Sequence, residues 1–123
     1  MANLDASPGR LDLTFTQGKT WNLTLTVRDS GDDLVDLSGY ACTWAMRTDY
    51  GAASATVTAV AAGTAGSITM GGTAGTIALT VPPTVTAGVA VASYVHEFEL
   101  TDGSGAKPPF VAGSVQVKAE VVS

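Results

Sequence analysis

The chain has 123 residues, one cysteine and a formal net charge of −5, with six Lys and Arg side chains against eleven Asp and Glu. This length fits one domain, and a single cysteine excludes an internal disulfide bond. The basic residues are scattered along the sequence, whereas a nucleic-acid-binding protein clusters them to neutralise phosphates. We therefore expect no direct contact with nucleic acid.

The start of the chain is polar and lacks the pattern of a secretion signal. No stretch approaches the roughly 18 apolar residues that span a bilayer, so we expect a soluble protein that is made in the cytoplasm and has no membrane partner. Only 14% of the residues are charged, against about 25% in typical soluble proteins. Because a free monomer usually covers its surface with charge, this composition indicates a subunit that packs against neighbours.

The first part of the chain predicts an extended arm followed by three strands. Residues 1–10 hold few apolar side chains, which predicts an N-terminal arm ahead of a single β-sandwich domain at residues 11–123. Residues 11–16, 21–28 and 40–47 alternate between apolar and polar side chains, and this period of two indicates strands. The apolar faces of the last two strands supply five expected core residues: Trp21, Leu23, Leu25, Val27 and Trp44.

The middle of the chain predicts three shorter strands, at residues 55–60, 67–70 and 76–81. The last of them must stop at Pro82, because proline donates no hydrogen bond to a neighbouring strand. One helical turn is expected at residues 84–88.

The clearest pattern lies near the end of the chain, where residues 91–101 and 114–121 alternate around a turn rich in glycine and proline. This pattern predicts an antiparallel hairpin whose core residues are Tyr94, Phe98, Leu100, Val115 and Val117. About seven to eight short strands and no sustained helical period predict an all-β fold. We expect an antiparallel β-sandwich of immunoglobulin-like type.

Individual residues that could carry chemistry lack the partners that chemistry needs. His96 has no second histidine or thiol pair to share a metal ion, so it is expected to be a packed or hydrogen-bonded strand residue. Cys42 lies on the apolar face of an alternating strand and is therefore expected to be a small core residue. A role as a nucleophile would need a nearby base. Glu97 and Glu99 lie side by side on one strand face, which predicts a solvated surface.

Two loop patterns also fall short of a site. Four aspartates, at positions 29, 32, 33 and 36, could gather around calcium, but their spacing matches no calcium loop and aspartate favours turns anyway. The sequence leaves open whether this loop binds an ion. The glycines at positions 71, 72 and 75 lack the Lys-Ser/Thr of a phosphate loop. We therefore expect no catalytic residue, no metal site and no cofactor, and the protein is predicted not to be an enzyme.

The order of several short segments is similar to a known group of proteins. These segments are Gly18-Lys19-Thr20, residues 36–40, Arg47, residues 75–82, Thr86-Ala87, residues 94–100, Gly105 and residues 113–121. The arrangement resembles the small β-sandwich domain of tailed-bacteriophage structural proteins, and in particular the N-terminal domain of phage baseplate upper proteins. The resemblance covers residues 11–122, and it rests on the order and spacing of the segments.

The resemblance implies a non-enzymatic structural subunit of the virion, most simply a tail or baseplate adaptor. Its partners would be other virion proteins, and it would form a homo-oligomer, a trimer or a hexamer. Baseplate upper proteins usually continue into a receptor-binding region, whereas this chain stops at Ser123, so receptor binding is expected on another chain.

Two alternatives stay open on the sequence. A capsid decoration protein on the phage head belongs to the same class, and nothing in the sequence separates it from a tail adaptor. A carbohydrate- or receptor-binding β-sandwich belongs to another class, and it would present exposed aromatic side chains at its loops. Tyr50 and Phe110 are the loop aromatics available for that role.

Contacts between subunits are expected at strand edges and along the N-terminal arm. An unpaired strand edge is a template for another strand, and an extended arm can add a strand to the sheet of a neighbour. The arm residues predicted to contact a partner are Asn3, Leu4, Pro8 and Arg10.

Overall fold

The computed structural model describes residues 2–3, 9–28, 31, 33–49, 51–52, 54–61, 63–107 and 111–120. Strands account for most of these residues, and the two helical elements are one turn each. In chain order the elements are β1 (Ala2–Asn3), β2 (Gly9–Arg10), β3 (Leu13–Thr16), β4 (Trp21–Arg28), β5 (Ala41–Arg47), β6 (Val57–Ala59), β7 (Ser67–Met70), a 3-10 helix (Gly72–Ala74), β8 (Thr76–Val81), α1 (Pro83–Thr86), β9 (Ser93–Thr101) and β10 (Val111–Lys118).

The strands form two sheets that enclose one core. The first sheet has the order β1-β4-β8-β7, and the second has the order β10-β9-β5-β6 with both β2 and β3 on the outer side of β10. β1 runs parallel to β4, and both β2 and β3 run parallel to β10. The remaining pairs are antiparallel. The predicted all-β sandwich is confirmed, and eight strands have three or more residues. The immunoglobulin-like subtype stays a prediction.

The core follows the period of two that the sequence predicts. Nine of the ten expected core residues are buried, and Leu23 is half-buried. Trp44 and Phe98 lie with their ring centroids 6.3 Å apart at the centre, and Phe15 stacks on Trp21 at 4.7 Å. Fully burying each large apolar side chain contributes about 1.5–3 kcal/mol, so the buried members of these two aromatic pairs add substantially to the stability of the core.

The predicted strand at residues 11–16 is interrupted, and the reason is local. The pairing of Arg10 with Ala112 and of Leu13 with Val115 keeps one register, so β2 and β3 are two parts of one strand. Between them the carbonyl of Leu11 bonds to a histidine ring instead of to β10, and the Oδ1 atom of Asp12 accepts the N–H of Ser114. A side chain thus replaces one rung of the ladder.

The expected helical turn is present as α1, immediately after Pro82. Thr86 is fully buried there, and its hydroxyl donates to the carbonyl of Lys19 at 2.7 Å. This bond ties the turn before β4 to the connection between β8 and β9. Across the described ranges, no helix is both long and apolar enough to cross a membrane.

Candidate functional site

His96 of β9 connects β5 to the segment between β2 and β3 through the two nitrogens of its ring. Trp44 donates its Nε1–H to Nδ1 of His96 at 3.0 Å. Nδ1 is therefore the acceptor, so Nε2 carries the proton and donates to the carbonyl oxygen of Leu11 at 2.7 Å. The ring is buried and neutral, and burial lowers its pKa below the ordinary value of 6.5. The prediction of a hydrogen-bonded strand histidine agrees with this geometry.

Gly113 makes room for this contact. A Cβ atom at Gly113 would overlap the carbonyl oxygen of Leu11 and lie 2.7 Å from its carbonyl carbon. Only glycine therefore lets the chain before β3 come close enough for the Leu11 carbonyl to reach His96. The neighbouring Asp12 adds a second anchor, because its carboxylate accepts from both the N–H and the hydroxyl of Ser114 at 3.1 Å.

The bonds from Ser114 lower the pKa of Asp12 below its ordinary value of 3.8. The ionised carboxylate is thus the form that holds residues 10–12 against β10 at neutral pH.

Glu97 and Glu99 border a shallow depression on the outer face of the second sheet. Its volume is about 270 Å³, and its lining is Thr43, Ala45, Arg47, Val95, His96, Glu97 and Glu99. Glu97 is exposed, and Glu99 pairs with Lys107 at 3.3 Å. The ring of His96 bonds groups on the core side and offers no base to this depression. The volume also falls below the roughly 300–1,000 Å³ of ligand pockets.

Cys42 is buried, and its environment makes the thiol inert. Desolvation by burial, followed by the charge of Glu99, raises the pKa of the thiol to about 12. The thiolate is the reactive form and the metal-binding form of cysteine. The protonated thiol of Cys42 therefore serves as a small core side chain.

The aspartate loop is only partly described, because Asp29 and Asp32 lie outside the described residues. Asp33 and Asp36 are exposed, and the Oδ1 atom of Asp36 accepts the N–H of Ser38 at 2.9 Å. This bond is the usual reason for aspartate in a turn. Within the described ranges, no group of three acidic, histidine or cysteine side chains is placed to hold a metal ion.

The described part of the predicted arm adds a strand to each sheet. Asn3 lies in β1 beside Arg28 of β4, and Arg10 lies in β2 with an exposed side chain that pairs with Asp12 at 3.1 Å. The other two predicted contact residues, Leu4 and Pro8, lie outside the described residues. The prediction that these four residues contact a partner stays a prediction.

One edge that the sequence analysis did not single out is the free side of β4. β1 covers this side only at Val27 and Arg28, so among the described residues nothing pairs with positions 21–25. We call positions 21–25 on this side the open edge. Asn22 and Thr24 are exposed on its outer face.

The core is also less well covered on this side of the sandwich. Four inward-facing apolar residues beside the gap between β3 and β4 are half-buried: Leu11, Leu13, Phe15 and Leu23. The alternating pattern reveals which side chains point inward, but it does not reveal whether a strand lies at the edge or at the centre of its sheet. The open edge therefore had no signal in the sequence.

Comparisons with known proteins add no relative to this description. A scan against protein-family models gave no match for the chain. A search of curated proteins gave no match either.

Proposed function

We propose that the protein is a non-enzymatic structural subunit of a tailed-phage virion, an adaptor in the tail or baseplate. It joins other virion proteins through strand edges and its N-terminal arm, and it forms a trimer or hexamer. It is made in the host cytoplasm. The resemblance to baseplate upper proteins supports this proposal, together with the low charged fraction of 14%.

The observation that carries the proposal is the position of the N-terminal arm, residues 1–10. β1 and β2 each contribute two residues, one pair on the edge of each sheet. Short strands of this kind hold few hydrogen bonds and lie where a neighbouring chain can exchange with them. Such exchange is a low-cost way to join subunits of an assembly.

We also propose that the sandwich is of immunoglobulin-like type. The order β4-β8-β7 in one sheet and β10-β9-β5 in the other corresponds to the strand orders of that fold. Tyr94 supports the assignment, since its hydroxyl near the start of β9 donates to the carbonyl of Ala90 at 2.6 Å, as in the tyrosine corner of such domains. The parallel pairing of β1 with β4 is a departure from that pattern.

The two alternatives differ in what supports them. A capsid decoration protein would use the same strand edges, and only its position on the particle would differ. A carbohydrate-binding module needs exposed aromatic rings, and every aromatic residue in the described ranges is buried or half-buried. Tyr50 and Phe110, the loop aromatics that this alternative would use, lie outside these ranges. The adaptor is preferred because the resemblance and the low charged fraction of 14% both support it.

The test is to locate the protein on intact particles. Phage particles are produced in the presence of a tagged copy of the chain, which is then located on them by immunogold electron microscopy. Label at the tail end is the expected result. Label over the head would replace the adaptor by a decoration protein, and particles without label would contradict the virion role.

A further inference from the structure

We propose that the open edge of β4 is a self-pairing interface, at which two copies of this chain join their first sheets antiparallel about a two-fold axis. The inference goes beyond the virion role and does not depend on it, because the pairing is a property of the isolated chain. It rests on the chemistry of the edge, the direction of its main-chain groups and the incomplete burial of Leu23.

The open edge has none of the features that normally protect a strand from pairing. Natural edges are kept short, or carry lysine, proline or a bulge. β4 has eight residues, and its positions 21–25 contain only Trp, Asn, Leu, Thr and Leu. The neighbouring edge at β3 differs, since Arg10 and Asp12 place charges beside it.

The main-chain groups on this edge follow from the pairing on the opposite side of β4. Val27 donates its N–H to Gly75 and accepts from Val35, so the odd-numbered residues of β4 bond towards β8. In an antiparallel ladder the intervening residues point their N–H and C=O groups the other way. Asn22 and Thr24 therefore direct theirs to the open edge.

β1 demonstrates that this side of β4 accepts a strand. It pairs with β4 at Val27 and Arg28, on the side to which the even-numbered residues point. The pairing of β1 also limits the available length, because a second strand can use only positions 21–25. An antiparallel copy of the same five positions fills that length.

Only one register pairs all the free main-chain groups. Asn22 lies opposite Thr24 of the second copy and Thr24 opposite its Asn22, which gives four hydrogen bonds. Leu23 then lies on the two-fold axis opposite Leu23 of the second copy. Its side chain is the one inward-facing residue of β4 that is not buried, and the second leucine would cover it.

The distribution of charge favours a second copy of this chain as the partner at the open edge. The chain carries a net charge of −5, so most contacts between two copies bring like charges together. The five positions of the open edge are uncharged, and their outer face continues into Ala78, Thr80 and Thr69 on β8 and β7, again without charge. A two-fold pair is compatible with a hexamer built from three such pairs.

The first measurement is the mass of the full chain by light scattering from about 1 to 100 µM, because dimer formation depends on concentration. We expect the wild type to reach at least twice 12.4 kDa. Thr24→Pro removes an N–H that bonds nothing within the described chain, so we expect this variant to keep its fold, which circular dichroism checks. Its mass should fall to one half of the wild-type mass or less. Thr24→Lys is the second variant, and Thr69→Lys on the same outer face is the control that keeps the wild-type mass.

A cross-link tests the register. In a non-hydrogen-bonded antiparallel pair the Cα atoms lie about 4.5 Å apart, within the range of about 4.4–6.8 Å for disulfides. Leu23→Cys should give a covalent dimer under mild oxidation, and Thr69→Cys should not. The proposal is overturned by a wild type that stays monomeric, by an oligomer that survives both Thr24 variants, or by an oligomer in which Leu23→Cys does not cross-link.

Discussion

At the scale of single residues, His96 bonds the chain ahead of β3 to the core. It bonds Trp44 in β5 and Leu11 ahead of β3, and it lies in β9. Protonation of the ring would place a hydrogen on Nδ1, which then could no longer accept from Trp44. This connection therefore depends on the neutral form of the histidine.

Acid is expected to weaken the fold in a pH range set by His96. Burial lowers its pKa in the folded state, whereas the unfolded chain takes up the proton near the ordinary value of about 6.5. The unfolded state thus binds more protons as the pH falls below about 6.5, and the free energy of unfolding falls until the folded pKa is passed. The slope is at most about 1.4 kcal/mol per pH unit for one proton.

Urea unfolding at pH 7, 6 and 5 measures this effect. Asp12, Asp36 and Asp102 have pKa values lowered below 3.8. The stability that these carboxylates contribute is therefore lost mainly at lower pH than this range. His96→Gln is expected to be less stable at pH 7 but to have a flatter profile between pH 7 and 5. Equal pH profiles for the wild type and the variant would contradict the role of the ring.

Gly113→Ala is expected to lower the free energy of unfolding by roughly 1–3 kcal/mol, the usual cost of overpacking. The added methyl group overlaps the carbonyl of Leu11 and moves it away from His96. Thermal unfolding measures the loss. The control is Gly103→Ala, where the nearest atom would be 3.9 Å away; equal stability of the two variants would refute the explanation.

At the scale of elements, deletion of the N-terminal arm, residues 1–10, should separate the role of the arm in assembly from the folding of the sandwich. Every buried apolar residue of the described core lies at Trp21 or later, and Leu11 and Asp12 remain in a chain that lacks residues 1–10. We expect this variant to fold, as measured by circular dichroism and thermal unfolding. Under the proposed virion role, we expect it to enter phage particles poorly. Loss of the fold, or incorporation at the wild-type level, would refute this prediction.

The sequence predicted the elements better than it predicted their neighbours. β7 and β8 have the predicted bounds, because turns rich in glycine and proline delimit them and their side chains alternate. The site at His96 was out of reach, because its partners Trp44 and Leu11 are 52 and 85 residues away. Alternation fixes the direction of a side chain within its own strand and carries no information on which strand lies beside it.

At the scale of the whole molecule, Cys42 reports on global unfolding. Its thiol is buried, and burial raises its pKa to about 12, so the unreactive protonated form prevails at pH 7. We expect a disulfide reagent to label the native protein only as fast as the sandwich opens, and the urea-unfolded chain at once. Labelling of the native protein at the rate of an exposed thiol would contradict this burial.

The pairing of β3 with β10 has a consequence for how the chain is made. Asp12 and Ser114 are 102 residues apart, so β3 leaves the ribosome well before the strand that it pairs with has been made. Such distant pairing slows folding, and the nascent chain meanwhile carries unpaired strands that are prone to aggregate. We therefore expect the yield of native protein to depend on chaperones during synthesis.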